Sequence, residues 1–429
     1  MADVIDDLQK WLDSEWDPNL TVGEWWEKLG TEGWSAPAWP SAWYGRDLSR
    51  DEAGRVATTI TKHGALGAPG GLGLLLAGPT IATHGTDEQK QQYLRDIVTG
   101  QKAWCQLFSE PGAGSDLAGL GCKALKDGEE WIVNGQKVWT SGGLYADLGM
   151  LIARTNPEAP KHQGITWFAF DMRQPGVEVR PLKEMTGRAL FNEVFLSDAR
   201  VADADIIGGL NNGWAVANTT LMFERSGLGA GSGHGVTSVA TPGGVAGDLD
   251  RRAGDFVRTR GDGGGDPVGM LGNASTLLME LAKANGAIKD PSIRQDLMRL
   301  RTLGEIGRFN NLRLKAAKAA GKDIPGLPNI AKLSMSEIVR QSRDVGLRIV
   351  GPYGTLHAYG KEEREALDKA TGNPFLGGVT ELALFAQAPA IYGGTDQVQR
   401  NIIGERVLGL PKEPGDNKGL PYKDLPKNG

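Results

Sequence analysis

The run Gln106-Leu-Phe-Ser-Glu-Pro-Gly-Ala-Gly-Ser-Asp116 has the residue types of a loop that holds a polar ligand. Pro111, Gly112 and Gly114 suit a tight turn, and Ser109 and Ser115 set hydroxyls beside exposed backbone N–H groups. Such a loop can cradle a polar ring edge or a phosphate, although a well-capped loop without a ligand would have the same composition. Downstream, Lys137-Val-Trp-Thr-Ser-Gly142 ends a strand-like run in Trp139, followed by the hydroxyls of Thr140 and Ser141. A flat stacking surface beside hydrogen-bond donors suits a planar heterocycle; the alternative is a core tryptophan. In Leu221-Met-Phe-Glu-Arg225, Glu224 shares an apolar helical face with Ala217, Leu221 and Leu228. A carboxylate there is costly without a partner or a purpose, so Glu224 is either a catalytic base or half of a structural ion pair. Arg225, its sequence neighbour, lies off that face.

The elements that must position these residues change period along the chain. Residues 1–102 read as helices with loops, including a capping box from Thr86 to Gln89. The Gly64–Gly73 stretch lacks a preceding strand and the spacing of a dinucleotide fingerprint, and reads as a packing turn. Tryptophans 11, 16, 25, 26, 34, 39 and 43 read as aromatic packing of this region against a larger body. Residues 103–208 read as short strands at 148–153, 165–172, 177–179 and 192–196. Asn134-Gly135 between two apolar runs predicts a hairpin with a type I′ turn. Strands of this length suggest a compact barrel or sandwich. Residues 209–429 read as helical again, with long helices over 291–321 and 329–350. The Gly-dense stretch at about 229–275 reads as an insertion or mobile loop, and the tail after Leu410 as an extended surface segment. Helices, then strands, then helices give an α+β class and argue against a doubly wound α/β sheet.

Composition excludes several functions. The chain of 429 residues is 40% hydrophobic and 23% charged, as in ordinary enzymes, with a net charge of -5 that offers no footprint for nucleic acid. No apolar run is long enough for a membrane span, and the acidic N-terminus lacks a signal-peptide pattern. Two cysteines, Cys105 and Cys122, make neither a disulfide framework nor a zinc site, and five scattered histidines have no metal-ligand spacing. A reducing, cytoplasmic setting fits.

The two middle segments, with their spacing, resemble the acyl-CoA dehydrogenase family. So do Pro157–His162, Met185-Thr-Gly187 through Phe191-Asn-Glu-Val194, and Ile391-Tyr-Gly-Gly-Thr-Asp-Gln-Val-Gln-Arg400; the likeness runs from about residue 20 to 410. It implies a helical N-terminal domain, a middle β-barrel and a C-terminal four-helix bundle. The implied chemistry is FAD-dependent removal of a β-hydride and an α-proton from an acyl-CoA, with electrons passing to an electron-transferring flavoprotein. It places Gln106, Phe108, Ser109 and Gly114 beside the flavin, and Ser115 near the flavin or the CoA arm. It sets Trp139, Thr140 and Ser141 against the ring, and Thr395 and Gln397 in contact with FAD. Thr395 is also placed to N-cap a helix, a purely structural role. Arg348 to Gly354, with Gly351 inside it, matches the stretch that reaches a neighbouring subunit's FAD. Arg225 and Tyr392 are implied substrate neighbours.

Two departures shape the expectation. Many members place the catalytic Glu in Ile-Tyr-Glu-Gly-Thr, where this chain has Gly393. Other members carry the base on an earlier helix in a Glu-Arg pair, which matches Glu224 and Arg225, while the Gly393 amide remains able to polarise the thioester carbonyl. The Arg-x-x-Phe-Gly motif that completes a partner's FAD site has no clean copy here. The expected assembly is therefore a homo-oligomer or a heterotetramer with a homologous subunit, as in some bacterial relatives that shorten steroid side chains. The small residue at 393 predicts a branched, ring-bearing or otherwise bulky acyl group. The alternatives are a non-catalytic, partner-dependent subunit and an oxygen-using flavin oxidase or monooxygenase of the same fold.

Overall fold

Three helices near the N-terminus begin with capping boxes, in which a hydroxyl takes the N3 amide and the N3 side chain returns to the cap amide: Thr21/Glu24, Ser49/Glu52 and Thr86/Gln89. They open α2 (Val22–Thr31), α3 (Arg50–His63) and α5 (Asp87–Val98), which stand with α1 (Val4–Glu15) and α4 (Gly78–His84). The computed structural model describes residues 4–229, 249–257, 274–412, 414 and 416–426; the side chains of 225–229, 318, 416 and 418 are outside the description.

The early tryptophans build a local core. Trp25 and Trp26 pack with Leu8, Leu12, Leu29, Trp34 and Ile60, and their indole N–H groups donate to Leu66 O (2.6 Å) and Gly67 O (2.8 Å). Only Trp39 and Trp43 pack toward the larger body. Part of the Gly-rich stretch belongs to this core. Val22 N donates to Arg251 O (2.8 Å), Gly23 N to Leu249 O (2.9 Å), and Ala253 and Phe256 are buried among the tryptophans. Of the stretch expected to be an insertion or mobile loop, residues 249–257 are docked on this core; its residues 230–248 and 258–273 lie outside the described residues.

The middle of the chain forms one eight-stranded sheet: β1 (Trp104–Leu107), β2 (Lys123–Asp127), β3 (Glu130–Ser141), β4 (Leu148–Arg154), β5 (Ile165–Asp171), β6 (Val177–Leu182), β7 (Phe191–Ala202) and β8 (Ile206–Ile207). Its order is β6-β7-β3-β2-β4-β5-β8, with β1 parallel to β4. Alternation along the strands builds two cores. Cys105, Leu107, Leu151, Ala153, Phe168, Phe170, Val194 and Leu196 face one. Trp104, Phe108, Met150, Ile152, Trp167 and Ala169 face the other, against the N-terminal helices and α6 (Gly213–Gly229).

The expected Asn134-Gly135 hairpin is not present: β3 runs straight through both residues, with a register shift against β7 between Val133 and Gly135. A Cβ at Gly135 would lie 2.8 Å from the Cys122 Cα, so the glycine serves a close approach rather than a turn. The hairpin turn is instead Gly128-Glu129, joining β2 to β3.

The C-terminal helices are α7 (Ala274–Ala284), α8 (Pro291–Ala319), α9 (Leu327–Val350), α10 (Lys361–Thr371), α11 (Leu376–Phe385) and α12 (Asp396–Ile402). Four of them, α7, α8, α9 and α11, share a core of Leu278, Leu281, Leu297, Leu300, Val345, Ile349 and Val379. α6 docks on the N-terminal domain through Thr80–Thr220 (3.0 Å) and His84–Thr219 (2.8 Å) hydrogen bonds. The tail returns to the sheet: Tyr422 N donates to Ala159 O (2.9 Å), and its ring lies 3.8 Å from the buried Arg154 guanidinium. No helix among the described residues is long and apolar enough to cross a membrane.

Candidate active site

Residue alternation along β1 turns Gln106 to the same side as Trp104 and Phe108, toward α6. There its amide Nε2 lies 3.4 Å from Glu224 Oε2. Two residues 118 apart in the sequence meet, and Glu224 is half-buried at the junction of sheet and helices. The side chains of Arg225 and Leu228 lie outside the description.

The loop after β1 is exposed at Pro111, Gly112, Gly114, Ser115 and Asp116, with Ala113 as its buried foot. Glu110 and Ala113 close it by paired backbone bonds of 3.0 and 3.1 Å. Ser109 O accepts from Val138 N (2.9 Å), which ties the loop's root to the strand that carries Trp139. A Cβ at Gly112 or Gly114 would meet nothing within 4 Å, so the backbone there faces open space.

Trp139 is no core residue: it is 61% exposed, at φ 62°, inside a β3 bulge between Lys137 and Thr140. A bulky residue in the left-handed region is strained, and strain of this kind gathers at ligand sites. Its ring stands edge-on to Phe191 at 5.9 Å. Ser141, half-buried, shares this side. Thr140 departs from the expectation. Its side chain is fully buried and its Oγ1 has no partner, while Asn192 Nδ2 holds its carbonyl at 2.9 Å. The bulge turns this hydroxyl inward, so it offers nothing to a ligand on the Trp139 side.

The third segment is held by residues that the sequence reading passed over. Gly393 and Gly394 both have positive φ, 62° and 78°. Gln399 Nε2 donates to their carbonyls at 3.1 and 3.3 Å, and Asn329 holds Gln399 Oε1 at 2.7 Å. Asp396, buried, pairs with Lys332 (3.1 Å) and Arg340 (3.0 Å). Burial pushes the Asp396 carboxyl up, but hydrogen bonds from Ser336, Lys332 and Arg340 outweigh it and hold the group below the usual carboxylate range. The Thr395 hydroxyl accepts from Val398 N (3.1 Å) as an N-cap, which is the structural role, and Gln397 is exposed. Burial raises the half-buried Tyr392 phenol, whose ring lies 6.5 Å from Phe385.

Arg348 is not directed at a ligand within this chain: it pairs with Asp296 and donates to Ser292 Oγ (2.7 Å), both on α8. Gly351 and Tyr353, just beyond, are exposed. Burial raises the Cys105 and Cys122 thiols to about 12 and about 11, which removes thiolate chemistry near neutral pH. Among the described residues no cluster of His, Cys, Asp or Glu could hold a metal ion.

Sequence comparison gives this geometry its family. Residues 3–101, 105–199 and 264–408 match the N-terminal, middle and C-terminal domains of acyl-CoA dehydrogenase. The chain belongs to the acyl-CoA dehydrogenase family, FAD-dependent oxidoreductases that act on CH–CH bonds. It is 34% identical over 393 residues to the acyl-CoA dehydrogenase IpdE1 of Mycobacterium tuberculosis, covering 91% of this chain and 88% of that protein. It is 35% identical over 385 residues to the acyl-CoA dehydrogenase FadE34 of the same organism, covering 90% of this chain and 46% of the relative. The solved ChsE4-ChsE5 complex from Mycobacterium tuberculosis has the same fold, with a TM-score of 0.66 and 26% identity over 95% of this chain and 98% of that one.

Proposed function

We propose that this chain oxidises a bulky acyl-CoA, branched or ring-bearing and of the steroid side-chain kind, to the trans-2-enoyl-CoA, with Glu224 as the base. The observation that carries this reading is the meeting of Gln106 and Glu224 beside an exposed loop and a strained, exposed tryptophan. The residues present fit a flavin. The open backbone at Gly112–Ser115, with Gln106 and Ser109, would hold one edge of the ring, and Trp139 and Ser141 would flank it; Phe108, whose side chain is buried in the core, would reach the ring only through its backbone. FAD, when bound, supplies the acceptor for the β-hydride. Glu224 takes the α-proton; its position on a half-buried helical face limits hydration of the carboxylate, and the Gln106 amide orients it. The Gly393 N–H would donate to the thioester carbonyl as negative charge develops there. The lack of a side chain at 393 leaves room beside Tyr392 for substituents on the acyl chain. Reduced cofactor would pass its electrons to an electron-transferring flavoprotein.

A second feature favours partner dependence. Arg348 is engaged by Asp296 of its own chain, and would reach a neighbour's cofactor only by exchanging that carboxylate for a phosphate. Relatives of this fold crystallise as two-subunit complexes. We infer that the active form pairs this chain with a homologous subunit.

The test is anaerobic reduction of the FAD-loaded protein by a panel of acyl-CoAs, followed by the loss of flavin absorbance. The wild type should bleach with bulky substrates. Glu224→Gln should bind FAD normally and bleach about 10³-fold more slowly, the scale of a lost general base. Equal rates in the two proteins would remove Glu224 from the mechanism. A wild type that bleaches only after a homologous subunit is added would establish the heteromeric form.

A further inference from the structure

Lys137 is a lysine with no solvent exposure on a strand, a position where an ammonium is costly unless it is fully paired. Its Nζ donates to Glu110 Oε1 (2.8 Å) and to the Phe108 carbonyl (3.1 Å). The Glu110 carboxylate in turn accepts from the backbone amides of Gly121 (2.7 Å) and Cys122 (2.9 Å). One ion pair therefore joins three stretches: the exit of β1, the turn that closes the exposed loop, and the return of that loop into β2. Lys137 is also the last β3 residue in register with β7 before the bulge that displaces Trp139.

We propose that Glu110 and Lys137 are positioning residues that fix both walls of the flavin site, the 108–116 loop and the Trp139 bulge, from a buried point behind them. Neither would touch the cofactor. Phe108 and Ala113 are the loop's buried apolar side chains; besides the ion pair, the Glu110–Ala113 backbone bonds and Val138 N to Ser109 O hold its root, and Lys161 holds Asp116 (2.7 Å) at its far end. A buried ion pair is a poor source of net stability compared with apolar packing, but its directional bonds specify one backbone arrangement.

The inference rests on the assignment of this loop to FAD, and the measurements separate the two. Hydrogen exchange of the cofactor-free chain reads the loop alone. In Lys137→Met, and in the charge-neutral pair Lys137→Met/Glu110→Gln, amides from Glu110 to Cys122 should exchange at least tenfold faster, with α8 and α9 unchanged. FAD titration by fluorescence should then show a dissociation constant raised at least tenfold in both variants. Leu281→Ala, a truncation in the helical core, should lower the Tm and move neither readout. Wild-type exchange in the loop, or recovery of wild-type FAD affinity in the double variant, would overturn the proposal. Fast loop exchange with unaltered FAD affinity would overturn it as well, and would trace the fault to the assignment of the loop to FAD.

Discussion

In the mechanism proposed above, Glu224 and Gly393 would divide between them two tasks, proton abstraction and carbonyl polarisation. Because Gly393 sits at φ 62°, a glutamate at this position would be placed in a left-handed conformation that costs about 1–2 kcal/mol. Gly393→Glu should lower the Tm by a few degrees in a thermal melt, and should not raise the rate of flavin bleaching. A faster rate would show that the backbone adapts and that the site accepts a second base. Trp139 is strained and mostly exposed, so its indole contributes little to folding. Trp139→Ala should leave the Tm of the cofactor-free protein nearly unchanged and weaken FAD binding by about tenfold, equivalent to ~1.4 kcal/mol. The type and spacing of both residues were legible in the sequence. The inward turn of the neighbouring Thr140 hydroxyl was not, because a bulge breaks the two-residue alternation on which such a reading depends.

At the scale of elements, the glycine pair at 393–394 is held by α9 and α12. Asp396 joins them through Lys332 and Arg340, and its replacement by Asn would leave two cations facing a neutral amide. Asp396→Asn should destabilise the protein by about 3 kcal/mol in urea denaturation at pH 7. The sign of the pH dependence follows from the carboxyl lying below its usual range in the folded protein. Below a pH of about 4 the unfolded chain binds the proton that the folded chain resists, so the stabilisation is present above that pH and fades as pH falls through the folded value. The gap between wild type and variant should therefore narrow under acid; a gap independent of pH would assign the effect to packing. The helix caps of this protein were readable from sequence because a capping box is complete within four residues. The ties made by Asn329 to Gln399 and by Lys332 to Asp396 span some sixty to seventy residues, and no local pattern announces them.

At the scale of the molecule, α8 is longer than the core it packs on. Its first turns bury Ile293, Leu297 and Leu300, whereas Ile306, Phe309 and Leu312 are exposed further along. Such a row on a helix suits association with another subunit. Phe309→Glu should shift the protein toward monomer in native mass spectrometry while leaving its circular dichroism intact; an unchanged mass distribution would place the contact elsewhere. The sequence by itself determined the order of helical, strand and helical domains, because the hydrophobic period changes from 3.6 to 2 and back. It also determined the α6 face that carries Glu224 and the loop rich in glycine and serine, since each lies within a few turns or residues. Only the tertiary structure decided which of these meet. It brought Gln106 to Glu224, docked residues 249–257 on the early tryptophans, turned Arg348 to Asp296, and ran β3 through a dipeptide that favours a turn. The physical reason is that burial and hydrogen bonding between distant segments outweigh local preference wherever the two conflict.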